Sequence, residues 1–392
     1  MTFFKPREKK DVRALLPAQA LAACLLFSFA SISLEEGFLF LAVVFWAARV
    51  IKEKQRLSVP SFFLPLFIYA ALSILSSAFS VNPAVSFREC RELGLYLIVP
   101  VAYMSFSTAG EILRANLAVL LSAAASIVYS FYRYFFLALP GERIKGFMGH
   151  YMTQAGLLVL FCSLAFGLFV FSRKKINWLW GAAFFFALPA LALTMTRSAW
   201  IGAAVVVCVI LGLYKPKLLA VVPVAAILIY FVSPAPFKDR IESIFSQKGY
   251  SNRMRVEYLK AGLKIIRDFP LTGTGPDTVD MVFQNPKYGL SEEAKRNVHL
   301  HNNFTQIAAE RGIPALLAWL LFAGWTLASL GRLLKSGSPE LKALAAAAIA
   351  AILAILVAGI FEYNFGDSEV TMLLLYILTV PFAFLRAKKA GP

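Results

Sequence analysis

The chain has 392 residues, of which 59% are hydrophobic and only 16% charged, and it carries a formal net charge of +17. A soluble domain is about half apolar, whereas the apolar residues here are gathered in long runs that exclude an ordinary soluble or disordered protein. Four cysteines without paired spacing exclude a disulfide framework or a zinc site of the finger type, and basic residues not interleaved with aromatics on a soluble unit imply no nucleic-acid partner.

Crossing the hydrocarbon of a bilayer takes roughly 20 apolar residues per helix. Runs of about that size begin near Leu15, Gly37, Pro60, Leu93, Ala115, Tyr151, Trp178, Ala199, Leu218, Ile313, Ala343 and Val370. They predict an all-α polytopic membrane protein with about 12 transmembrane helices, the second, fourth and eighth being short. No small-residue cleavage site follows the first run, so it is expected to stay as a span and not to be a signal peptide. If both termini share one side, the connections there are residues 1–13, 49–56, 107–114, 172–177, 215–217, 331–342 and 386–392. These hold almost all of the net positive charge. Excess Lys and Arg mark the cytoplasmic side, which puts both termini inside an inner membrane. The basic balance is then a record of topology.

The organisation this predicts is lopsided. Residues 1–232 hold nine helices with short loops, residues 233–312 form one large periplasmic loop, and residues 313–392 hold the last three helices. Within the loop, residues 252–268 repeat Val256, Leu259, Leu263 and Ile266 at helical spacing, with Arg253, Arg255, Lys260, Lys264 and Arg267 on other faces. Such a helix lies at the membrane interface or caps the bundle. Turns are expected over Phe269-Pro270-Leu271-Thr272-Gly273-Thr274-Gly275-Pro276, and a second helix from near Asn302 to Glu310.

Chemistry is to be sought among the polar groups of the outer face, because ionisable residues near lipid are costly. Arg197, in Thr194-Met195-Thr196-Arg197-Ser198-Ala199-Trp200, sits in a very short link between two spans. It either snorkels to lipid phosphate or faces the bundle, and the flanking hydroxyls favour the second. Arg143 and Lys145, in Gly141-Glu142-Arg143-Ile144-Lys145-Gly146 ahead of His150, form either a solvated hairpin or a phosphate-gathering loop. Arg253 lies at the start of the amphipathic helix, where a helix N-terminus favours anions, although a solvated charge run is the commoner reason for such a pattern. His299 and His301 are two of only three histidines. On a helix they would point about 200° apart, so they converge only if their segment is extended.

The order of these motifs carries a resemblance. Thr196-Arg197-Ser198-Ala199-Trp200 between two spans is followed by Ser251-Asn252-Arg253, then by Asp268-Phe269-Pro270-Leu271-Thr272-Gly273-Thr274-Gly275. Next come His301-Asn302-Asn303-Phe304-Thr305-Gln306 and Glu310-Arg311-Gly312-Ile313-Pro314. Together they resemble the O-antigen ligase family, whose first-third signature is similar to Phe79-Ser80-Val81-Asn82-Pro83 with Arg88 and Arg91.

The resemblance implies a glycosyltransferase that moves a finished glycan from an undecaprenyl-diphosphate donor to a lipid A-core acceptor at the periplasmic face. It implies no cofactor and no metal, and the sequence has no Asp-x-Asp cluster. Arg197, Arg143 and Arg253 match the family's diphosphate-binding arginines, whose guanidinium forks suit phosphate oxygens. His301 matches the histidine expected to act as general base. His299, Lys145, His150 and Asn302 are secondary candidates. Direct displacement implies inversion at the sugar. O-antigen polymerases and protein O-glycosylating ligases share the superfamily and are the alternatives. From another class, a transporter of polysaccharide precursors would place charges at mid-membrane, where Arg133 is the main exception to their scarcity.

Overall fold

The computed structural model describes residues 12–137, 142–171, 177–245 and 249–390. Several sequence expectations lie outside these residues: the basic stretches 1–11 and 172–176, Gly141 of the hairpin motif, and residues 391–392. Among the described residues all regular structure is helical, with no strand. A helix begins close to each predicted run. These are α1 (Val12–Leu26), α2 (Ile32–Lys52), α3 (Phe63–Ala78), a short α4 (Pro83–Glu89), α5 (Ile98–Ser105), α6 (Ala109–Phe136), α7 (Tyr151–Phe171), α8 (Asn177–Leu193), α9 (Arg197–Tyr214) and α10 (Val221–Val232). The late segment holds α11 (Ala235–Phe245), α12 (Tyr250–Asp268) and α13 (Val279–Phe283). The chain then closes with α14 (Asn303–Ser336), α15 (Pro339–Ala358) and α16 (Ser368–Ala390).

Six described helices, α6, α7, α9, α14, α15 and α16, are long and apolar enough to cross a membrane, and shorter apolar helices accompany them. The chain is a polytopic helical membrane protein. The run expected from Leu93 is divided: Cys90–Leu97 coils as a 3₁₀ helix before α5 takes over.

Local chemistry sets several helix ends. Thr108 and Glu111 form a reciprocal capping box at the start of α6. Asn82 caps α4 ahead of Pro83, and the Asn302 side chain accepts from the Phe304 and Thr305 amides to open α14. Packing at the centre relies on small residues, as expected where lipid supplies no hydrophobic drive for helix association. The alanine-rich α15 lies against α7 and α9, and a Cβ on Gly167 would come within 2.8 Å of the Ala347 Cβ. A buried Tyr376 hydroxyl donates to Asn116 at 2.7 Å, tying α16 to α6.

The break in α14 fastens the late segment to the bundle. Gly312 has φ +82, and a Cβ there would lie 2.1 Å from the Leu271 carbonyl oxygen. Pro314 has no amide hydrogen, so the Glu310 carbonyl loses its helical partner; it accepts instead from the Gly275 amide at 2.8 Å. The Ala309 carbonyl accepts from Thr274, and the Ile313 amide donates to Pro270, both at 2.8 Å. Ser76 of α3 adds a bond to the Glu310 carbonyl at 2.9 Å. The predicted turn and the predicted Asn302–Glu310 helix thus form one knuckle.

The late segment has a small core of its own, in which Met254, Tyr258, Ala261 and Ile265 of α12 pack with Phe283, Tyr288 and Leu300. The stripe read from the sequence is the outer one: Val256, Leu259 and Leu263 are exposed, as on an interfacial helix, and the buried stripe uses Met254, Tyr258, Ala261, Gly262 and Ile265. Tyr258 and the small residues are weak in hydropathy but fill the narrow gap above α14.

Candidate active site

Antiparallel succession brings four connections to one end of the bundle: residues 142–150, the Thr194–Thr196 link, the segment after α10, and the link between α15 and α16. The first three enclose a cavity of about 800 Å³ whose lining includes five arginines and one glutamate, and the fourth sets Glu362 against its histidines.

Arg197, the first residue of α9, is 8% exposed. One guanidinium nitrogen donates to the Ser243 carbonyl at 2.5 Å and to its hydroxyl at 3.3 Å. The other donates to Ser251 Oγ at 3.1 Å and Asn252 Oδ1 at 2.8 Å. The residue therefore faces the bundle and ties the ends of α11 and α12 to α9. Arg240 of α11 donates to the Met195 carbonyl at 3.0 Å. Burial, then the neighbouring Arg143, Arg197 and Arg255 cations, push the Arg240 pKa down to about 10. Arg255 of α12 donates to the Phe361 carbonyl at 2.9 Å and to Ser251 Oγ at 2.8 Å; burial lowers its pKa, with Glu362 acting the other way. Arg143 stacks over the Tyr151 ring, 4.5 Å from its centroid. These cations destabilise one another, so an anion entering among them is favoured.

On another wall, residues 297–301 run without helical structure. Leu300 is buried on one side, its amide donating to Gln306 Oε1 at 2.7 Å. His299 and His301 flank it and fall together where the non-helical chain bends, His301 having a φ of +51. Their ring centroids are 4.3 Å apart. Both meet the Glu362 carboxylate, His301 Nδ1 at 2.9 Å and His299 Nε2 at 3.5 Å from Oε1. Burial raises the Glu362 pKa, but the hydrogen bonds from His299 and then His301 outweigh it and hold the carboxyl well below its ordinary value. Being ionised, Glu362 can only accept. His301 therefore donates to it from Nδ1, and Nε2 is the nitrogen that offers a lone pair when the ring is neutral. A buried carboxylate that fixes the tautomer of an imidazole is the arrangement of a general base with its orienting partner. Ligand atoms of His299, His301 and Glu362 lie within 4.8 Å of one another, a donor set that a divalent transition metal accepts.

Of the residues expected from sequence, Arg197, Arg143, His150, His299 and His301 line this cavity. His150 Nδ1 lies 3.2 Å from Thr153 Oγ1, and burial lowers its pKa. Three others stand elsewhere. Arg253 is an exposed side chain 3.8 Å from Glu293, across the Tyr250 ring. Lys145 pairs with Glu142 at 2.8 Å. Asn302 spends its side chain on the helix cap and on the Ile360 carbonyl at 2.8 Å. Sequence reasoning missed Arg240, Tyr258, Asn297 and Glu362, and left Arg255 as a helix-face charge. The available signal for Glu362 was a carboxylate in the short link Gly359-Ile360-Phe361-Glu362-Tyr363-Asn364 between the last two spans.

Residues 182–320, from α8 into α14, match the family model described as O-antigen ligase. A search of curated proteins finds no match. The matched span contains Arg197, Arg240, Arg255, His299 and His301, while Arg143 and His150 reach the same cavity from outside it and Glu362 stands behind the two histidines.

Proposed function

We propose that this chain, which belongs to the O-antigen ligase family over residues 182–320, transfers a glycan from undecaprenyl diphosphate to lipid A-core at the periplasmic face of the inner membrane. The observation that carries the reading is one cavity with a cluster of arginines on one wall and a carboxylate-held histidine on another.

The roles follow from chemistry. Arg143, Arg240 and Arg255 hold the diphosphate, with Arg197 bracing the wall through its bonds to Ser243, Ser251 and Asn252. The acceptor hydroxyl attacks the anomeric carbon from the side opposite the diphosphate. Its proton passes to His301 Nε2 as the new C–O bond forms. The old bond to the diphosphate oxygen breaks, and its electron pair leaves on the diphosphate, where the guanidinium groups stabilise it. Glu362 steadies the imidazolium that results. One displacement inverts the sugar. The charge asymmetry of the sequence supports cytoplasmic termini and a periplasmic site, and the donor and acceptor lipids reach that site from the membrane. His299 braces the loop and shares the carboxylate.

The test is transfer by purified protein in proteoliposomes given undecaprenyl-diphosphate glycan and either lipid A-core or further donor. Single-step transfer to lipid A-core is the expected result. Growth of a ladder of longer glycans would mean a polymerase, and no turnover of the donor would overturn the reading.

A further inference from the structure

The base nitrogen of His301 is covered. Its Nε2 lies 2.6 Å from the side-chain nitrogen of Asn297, and with Nδ1 committed to Glu362 at 2.9 Å no other lone pair remains on the ring. The network fixes which end of the amide faces the imidazole. Asn297 Oδ1 accepts from the Val298 amide at 3.1 Å. Its nitrogen also donates to the Tyr258 hydroxyl oxygen at 3.2 Å, and that hydroxyl in turn donates to the Ala294 carbonyl at 3.1 Å. Each hydrogen of the amide thus has an acceptor, and one of the two is the base itself.

We propose that Asn297 is a gate on the general base, displaced only by the hydroxyl of a bound sugar acceptor, so that the donor is protected from water. The proposal rests on the transfer chemistry assigned above and adds a positioning residue to it. Any hydroxyl that His301 deprotonates must occupy the place of the Asn297 amide, because a base needs its target within hydrogen-bond reach. A lone water gains little by exchanging one hydrogen bond for another. A sugar held by further contacts in the cavity gains enough to move the side chain. Asn297 can give way: it follows a single 3₁₀ turn, Ala294–Arg296, and precedes Val298, which is exposed. The reaction is the one already written, with either a sugar hydroxyl or water as nucleophile. With water, the anomeric carbon gains a hydroxyl, the proton goes to His301, and undecaprenyl diphosphate leaves.

The experiment measures two rates in proteoliposomes containing full-length protein and undecaprenyl-diphosphate glycan: release of free glycan without acceptor, and transfer with acceptor. Loss of one hydrogen bond should raise water's access by up to about tenfold. Asn297→Ala is therefore expected to raise hydrolysis by that order and to lower the ratio of transfer to hydrolysis. Tyr258→Phe keeps the ring but removes the oxygen that holds the amide, and should move the ratio the same way by less. A merely structural defect lowers both rates together. Unchanged ratios in both variants, with or without loss of rate, would overturn the gate and leave the transfer reading standing. Wild-type protein that neither transfers nor releases glycan would overturn both.

Discussion

Replacing Glu362 with glutamine isolates the charge at the centre of the site. A glutamine Oε1 can still accept from His301 Nδ1, now 2.9 Å from the carboxylate, so the tautomer and ring position survive. What disappears is the negative charge beside the imidazolium that forms as the acceptor proton is taken. With charge centres about 4 Å apart and an effective dielectric of about 20, that attraction is worth ~4 kcal/mol. At ~1.4 kcal/mol per tenfold change in rate, Glu362→Gln should slow transfer by on the order of 10³. Donor affinity, set by the arginines, should hold within a few-fold. The assay is the initial rate of transfer at saturating donor, with donor binding and thermal unfolding measured on the same preparations. A folded variant that keeps a third or more of the wild-type rate would refute the assignment of Glu362 as the partner of the base.

Arg255→Gln should weaken donor binding by about 10- to 100-fold, the worth of one or two charge-assisted hydrogen bonds, whereas Arg253→Gln should stay within about twofold because its side chain stands outside the cavity. Equal losses in titrations of the two variants would contradict this. Gly312→Ala should lower the melting temperature by several degrees, since its φ is +82 and a Cβ would strike the Leu271 carbonyl; an unchanged melting curve would remove the knuckle's importance. Burial pushes the Asp367 carboxyl up to about 7. A folded value above the unfolded one means its stabilising contribution is full below the ordinary carboxylate range and is lost as pH rises toward about 7, a difference of roughly 4 kcal/mol. Asp367→Asn should therefore flatten the decline of melting temperature between about pH 4 and 7, and an identical slope would argue against it. Reporter fusions after Arg332 should read as cytoplasmic and after Lys287 as periplasmic, and the reverse pattern would invert the proposed active face.

The helix starts were legible because hydropathy runs are local properties, and the helix opening near Asn302 was read from its own segment. The convergence of His299 and His301 was legible only as a condition, that their segment be extended; the rings meet instead across a bent, non-helical stretch in which His301 is left-handed and Leu300 is buried. Two things were hidden for physical reasons. The buried stripe of α12 is made of Met254, Tyr258, Ala261, Gly262 and Ile265, and small residues that permit close approach carry little hydropathy. The more apolar set, Val256, Leu259 and Leu263, faces outward. Glu362 lies 61 residues from His301 in sequence, and only the return of α15 to the same end of the bundle makes them partners. The arginines divided likewise: Arg255 and Arg253 are two residues apart on one helix, which turns them to different faces, and no composition argument tells which face meets the cavity.

The backbone of His301 itself sits at φ +51, a left-handed conformation that side chains with a Cβ seldom adopt and that costs of order 1 kcal/mol or more. Glycine or asparagine would rest there with less strain. The hydrogen bond from the ring to the buried Glu362 is what offsets that strain, so a screen that rewards thermal endurance alone would favour replacements at this residue only in chains that have also lost the carboxylate. Selection for use in the membrane has to work against that drift, and a stabilised variant of this chain should be sequenced at residues 301 and 362 before its inactivity is blamed on anything else.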